Sequence, residues 1–405
     1  MKRWSLPFAI AAALAGGAAA QTAAAATQYF VIELPSLGGT NSIGNSINQL
    51  GMVSGFSTLA DDQTIHAAAW PFGIKKDLGT LGGTNSAVLW PVKNDFGVIS
   101  GVSQTGTPEP NGESWSCALF IGSDGHTCLG FVWVAGKMRA LNPLPGGNNS
   151  FATGTNNRMQ TVGWAETGYH DPTCNKYGDS DQVLQFLPVV WGPGKGQART
   201  LPLLTGDSSG AATAINDRGD VVGISGDCDQ AVGRDTAKHM VLWKNGRAID
   251  IGDIGGSAWN TPMAINRFDD IVGFATTSAG EFHAFYRGHD DDAPTDMGVL
   301  NPGDTLSQAY GINNRGQAVG TSYGSEGYKA FVWQDGVMQD LQPLAPGYSG
   351  TFLFAQDIND LGEITGQAIS ASGDYVGFLA IPIPSNGGSD APSARPQRKA
   401  APSPK

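Results

Sequence analysis

The sequence predicts an all-β fold, a seven-bladed β-propeller, from three observations. A nine-residue phrase recurs seven times, a second phrase follows it, and the start of the chain carries a fragment that the last repeat lacks. The first phrase spans 47–55, 93–101, 155–163, 215–223, 265–273, 312–320 and 358–366, with Asn second and Gly ninth in every copy. The copies are about 46 to 62 residues apart, the spacing of propeller and solenoid repeats.

The second phrase is an apolar run, a turn, and Asp-Leu-Gly or a relative of it. His66 to Trp70 leads to Asp77 and Gly83, and His239 to Trp243 leads to Asp250 and Gly256. His283 to Arg287 leads to Asp296, and Lys329 to Trp333 leads to Asp340. Gly130 to Trp133 and Pro188 to Trp191 fill the same slot in copies two and three.

Each unit therefore reads as four short strands. Asn-x-x-Gly makes the turn after strand one, because Asn bonds its own backbone and Gly accepts positive φ. The run ending in Val-Gly is strand two, the aromatic run strand three, and the Asp-Leu run strand four. A β-helix-like stack of repeats is the alternative on pattern alone. The chain ends favour a ring. The last unit stops after 377–384 without a fourth strand, and Tyr29 to Leu34 offers one. Closure by that N-terminal strand would remove the exposed edges of an open stack.

Composition agrees: 57 Gly and only 15% charged residues among 405 suit many strands and tight turns. Lys2 and Arg3 precede an apolar run and small residues ending at Ala20, the pattern of a signal peptide cut after residue 20 or, as an alternative, 26. The mature protein is expected to be secreted or periplasmic with no transmembrane anchor. The single propeller spans 28–384, and the Pro/Ser/Ala-rich tail 385–405 is expected to be disordered. Setting aside Lys2, Arg3, Asp390, Arg395, Arg398, Lys399 and Lys405 leaves 35 acidic and 18 basic residues, a net charge of −17. Such a body repels phosphate backbones, which argues against nucleic acid.

These phrases resemble the extracellular repeats of the HAF family, named for His-Ala-Phe in strand three. The resemblance covers roughly 28–384. Copy three departs at Met159 and copy five at Asp269, each where the turn Gly is expected. The family implies a surface or exported bacterial protein and carries no catalytic residues to transfer.

Recurrence separates scaffold from site. Asn48, Asn216, Asn313 and Asn359 read as turn formers, and Trp70, Trp133, Trp191, Trp243 and Trp333 as packing between blades. His66, His239 and His283 occupy equivalent slots on separate blades, too far apart for one metal. No metal or cofactor is expected.

The loop between strands two and three breaks the pattern, swelling at 104–127, 166–186 and 226–238 in blades two to four. Loops on a rigid scaffold commonly carry binding. All four cysteines lie in these insertions or at their edges, and Cys117–Cys128 with Cys174–Cys228 is the preferred pairing. The candidate ligand-binding residues are Trp115, His126, Tyr169, His170, Asp171, Tyr177, Asp179, Asp227 and Arg234, with Asp181 and Asp229 beside them. Aromatics beside carboxylates suit a glycan or an extracellular or envelope protein. The alternative is a polysaccharide hydrolase or lyase with a carboxylate pair in the central funnel. No Gly-x-Ser-x-Gly or His-Glu-x-x-His motif supports another hydrolytic chemistry.

Overall fold

The computed structural model describes residues 27–113, 120–174, 181–193, 198–228 and 237–384. The segments expected to be a signal peptide and a disordered tail lie outside them, as do Trp115, Cys117, Tyr177, Asp179, Asp229 and Arg234.

The described residues form seven four-stranded antiparallel blades. Their innermost strands are Ser42–Ile47, Gly82–Ala87, Gly146–Thr155, Ser209–Ile215, Thr261–Ile265, Leu306–Ile312 and Thr351–Ile358. Blades five and six touch through one parallel bridge, Phe282 to Leu306. The ring closes as the chain ends suggested. Gln28–Leu34 pairs with Tyr375–Ile383 from Gln28 opposite Ile383 to Leu34 opposite Gly377, as the outer strand of blade seven.

The ninth-position Gly has a steric cause. In blades one and three to seven the inner strand bulges by one residue opposite it, for example between Ala212 and Ala214 facing Gly223. A Cβ on Gly223 would collide with the Ala211 carbonyl, and one on Gly320 with that of Gln308. The core fills the space between blades. Trp70, Trp191 and Trp243 are buried there, and their indole N–H groups donate to the carbonyls of Pro35, Asn142 and Pro202 at 2.9, 3.0 and 2.7 Å.

Met159 and Asp269 keep the turn conformation without Gly, at φ of 59° and 69°. A side chain in the left-handed region costs roughly 1–2 kcal/mol. The neighbouring hydrogen bonds hold the turn regardless.

Strands one and three run toward one end of the ring, here called the turn face, where the Asn turns lie. Loops between strands two and three emerge at the opposite end, the insertion face.

Candidate functional site

On the turn face the seven phrase asparagines form a closed belt. Each buried Asn donates its Nδ2 to the backbone carbonyl of the next one. Asn48 reaches Asn94 at 3.2 Å, Asn94 reaches Asn156 at 2.8 Å, and Asn156 reaches Asn216 at 2.9 Å. Asn216 reaches Asn266 at 3.1 Å, Asn266 reaches Asn313 at 3.1 Å, and Asn313 reaches Asn359 at 2.9 Å. Asn359 returns to Asn48 at 3.1 Å. The same side chain's Oδ1 caps its own turn, accepting N–H groups two and four residues on.

A second circle follows, made by the residues after each Asn. The backbone N–H of Gln49 donates to Asp95, Asp95 to Asn157, and Asn157 to Asp217. Arg267 donates to Asn314, Asn314 to Asp360, and Asp360 to Gln49. The link from Asp217 to Arg267 is missing because a guanidinium accepts nothing. These residues line a cavity of about 210 Å³ at the channel mouth.

Three aspartates line this mouth among the described residues, Asp95, Asp217 and Asp360, and each is engaged. Asp95 and Asp217 also take the two-sided donation of the Asn157 amide at 2.9 and 3.0 Å, and Asp360 takes that of Asn314 at 2.7 Å. Deeper, Lys93 stands where other copies have Ile or Thr, and its ammonium pairs with the buried Asp357 of blade seven. Asp357 also accepts the Ile47 N–H at 2.9 Å. Burial holds the Asp357 carboxyl above its usual range despite Lys93.

The insertion face is built differently. Cys174–Cys228 joins the blade-three and blade-four loops. Cys128 is also disulfide-bonded, and its expected partner Cys117 is outside the described residues. The blade-two loop is seated by Phe120 and Ile121, which pack on Trp90, Phe151 and Trp164. Phe120 meets Phe151 edge-on at 5.1 Å, and Phe151 stacks on Trp164 at 4.2 Å. Asn85 donates to the Ile121 carbonyl at 2.8 Å.

Two glutamates brace these loops. Glu113 accepts the N–H groups of Val183 and Leu184 at 2.8 and 2.6 Å, linking the loops of blades two and three. Glu166 accepts the Asn148 and Asn149 N–H groups at 3.1 and 2.8 Å, and the amides of Asn149 and Gln182. Burial, with Glu113 adding its charge, pushes the Glu166 carboxyl up to about 7.

The expected site residues divide. Tyr169 and His170 are exposed at the end of Thr161–His170, and His126 is half-buried beside Asp124. Asp171 is buried, and one of its oxygens accepts the Thr173 N–H and hydroxyl at 2.8 Å each, a loop-forming arrangement. Asp227 pairs with Lys238 at 3.3 Å. Asp171, Cys174 and Cys228 lie within 4.8 Å of one another, but the two sulfurs are bonded together and the group does not suit a metal. His66, His239 and His283 each pair with the strand-four Asp of their own blade, Asp77, Asp250 and Asp296.

An aromatic ladder on the same face went unnoticed in the sequence. Tyr323 and Tyr328 are opposite each other across the blade-six hairpin with ring centres 4.6 Å apart, and Tyr328 meets Phe354 of blade seven at 4.8 Å. Both tyrosines are partly exposed. The two tyrosines, five residues apart across a turn, were its only sequence signal.

Fold and faces together define a seven-bladed β-propeller closed by its N-terminal strand. Solved structures of similar fold include the β-propeller domain of the Trilobed protease from Pyrococcus furiosus, at 10% identity over 88% of this chain and 97% of that one, with a TM-score of 0.49. Oligogalacturonate lyase in complex with manganese is similar at 10% identity over 88% and 96%, TM-score 0.47. AofleA from Arthrobotrys oligospora is similar at 12% identity over 78% and 89%, TM-score 0.34. At such identities the likeness concerns the fold alone. No protein-family model matches the chain, and no curated protein is similar to it.

Proposed function

We propose that this chain is an exported binding propeller that holds a glycan or protein ligand on its insertion face, in keeping with its resemblance to HAF repeats. One observation carries the reading: the channel aspartates Asp95, Asp217 and Asp360 are occupied by backbone and amide donors. A hydrolase or lyase needs a pair of carboxylates poised for the reacting bond, and residues committed to closing a ring serve it poorly. The insertion face offers what binding needs, namely braced loops with exposed Tyr169 and His170, and a ladder at Tyr323 and Tyr328. Stacking on such rings suits sugars and aromatic or cationic side chains alike.

The test is a screen of immobilised glycans and extracellular proteins, repeated with Tyr323→Ala/Tyr328→Ala, Tyr169→Ala and a chain with the blade-two and blade-three loops trimmed. Loss of a ligand in these variants, with the fold retained, supports the assignment. Undiminished binding in all three sinks it.

A further inference from the structure

We infer that the insertion face takes a basic polypeptide segment, its arginine or lysine side chains lying on the Tyr323–Tyr328 pair within a field of carboxylates. The inference rests on that face being the binding face. Charge is divided unevenly between the two ends of the ring. The crossovers between blades emerge at the same end as the loops between strands two and three. Among the described residues, these connections carry fourteen acidic residues and one basic residue, Lys238. Lys238 is itself paired with Asp227 at 3.3 Å. The connections on the turn face carry eleven acidic and six basic residues, Arg158, Arg218, Arg267 and Arg315 among them. A face dominated by one sign draws in the opposite charge and turns away its own.

The tyrosine pair gives this field a place to act. Tyr323 and Tyr328 are 41 and 40% exposed, and Phe354 continues their ladder from blade seven. Carboxylates come to it from the loops of three blades. Glu326 is in the tip of the same hairpin, and Asp304 accepts the hydroxyl of Ser322, next to Tyr323, at 2.8 Å. Glu281 ends the blade-five loop beside Phe282, whose bridge to Leu306 joins that blade to blade six, and Asp374 belongs to the blade-seven loop. Lys329, the base of this hairpin, is paired with Glu326. A cation over an exposed ring is held by the ring's quadrupole, and a guanidinium can also stack flat on it.

Two features favour a polypeptide over a metal ion or a neutral sugar. The carboxylates are spread along separate loops. Among the described residues, the one group of three ligand atoms within 4.8 Å of one another is Asp171, Cys174 and Cys228, and its sulfurs are bonded together. A chelated ion needs several oxygens at one point, whereas charges set apart match side chains spaced along a chain. A neutral sugar, in turn, gains nothing from the excess of carboxylates, while each arginine brought to the ladder is drawn by it.

The full chain is titrated against a fluorescent peptide of five Arg-Ser repeats, read by anisotropy. Binding is expected, weaker as salt is added, and absent for a Glu-Ser peptide of the same length. Tyr323→Ala/Tyr328→Ala should weaken it about tenfold, and Glu281→Gln/Glu326→Gln/Asp374→Asn about tenfold as well. Asp335→Asn, exposed on the turn face in blade six, should leave it unchanged. Because these side chains lie at the surface, circular dichroism and melting should match the parent. No binding of the Arg-Ser peptide overturns the inference, and so does binding that survives both sets of substitutions. A neutral oligosaccharide bound at the ladder in place of the peptide would overturn it too, while leaving the insertion face as the binding face. Peptide binding that also survives trimming of the blade-two and blade-three loops would remove that face from the function altogether.

Discussion

The Asn216 side chain makes four hydrogen bonds within its own turn and to the next blade, two functions that a single amide combines. Its oxygen replaces a missing turn partner, and its nitrogen ties neighbouring blades. Asn216→Ala forfeits both at a buried site and should lower the unfolding free energy by about 3 kcal/mol in a urea titration. Lys93 and Asp357 form a second residue-scale unit. Lys93→Ile restores the residue type of the other copies but strands a buried carboxylate, at about 3–5 kcal/mol. Adding Asp357→Ala, the residue type that Ala214 and Ala264 supply in blades four and five, should recover most of that loss. A double variant no more stable than Lys93→Ile would show that the pair is not the cause. Glu166 carries a pH dependence. Its carboxyl is higher in the fold, about 7, than its ordinary 4.5, so the protonated form is favoured by folding. That contribution is present below about 4.5 and is lost as pH rises through about 7, by up to about 3 kcal/mol. Glu166→Gln should flatten denaturation midpoints across this window.

At the scale of elements, the decisive feature is how the loops are anchored. The blade-three and blade-four loops are cross-linked at Cys174–Cys228, 54 positions apart in the chain. Closing a loop of that length limits the unfolded chain by about 4 kcal/mol in the entropic account. Cys174→Ser/Cys228→Ser should therefore reduce stability by about 2–4 kcal/mol while the far-UV spectrum stays that of a β protein. Unchanged stability would mean that Glu113 and the Asp171 turn already hold these loops. The blade-two loop was readable as an insertion from its length. Its seating was not, because Phe120 finds Trp90, Phe151 and Trp164 only when blades two and three are side by side.

On the scale of the whole molecule, closure depends on a strand far from its partner in the chain. Removing residues 1–34 would expose Tyr375–Ile383 as an unpaired edge and uncover the site of the buried Tyr29 and Leu34. The truncated chain should lose its cooperative melting transition and elute as aggregates. A monodisperse, cooperatively melting product would show that the ring holds without its closing strand. The two faces also diverge at this scale, one with pinned loops and an aromatic ladder, the other with a polar belt.

The sequence by itself determined the repeat number, the four-strand unit, the Asn turns and the closing strand, because each rests on local backbone chemistry or on recurrence. Tertiary structure decided what the repeats do to one another. The belt joins asparagines 46 to 62 residues apart and closes across 311, Lys93 meets an aspartate 264 residues away, and Phe354 completes a ladder begun at Tyr323. Contacts of that kind lie between blades, where neighbours are set by ring geometry rather than by order along the chain.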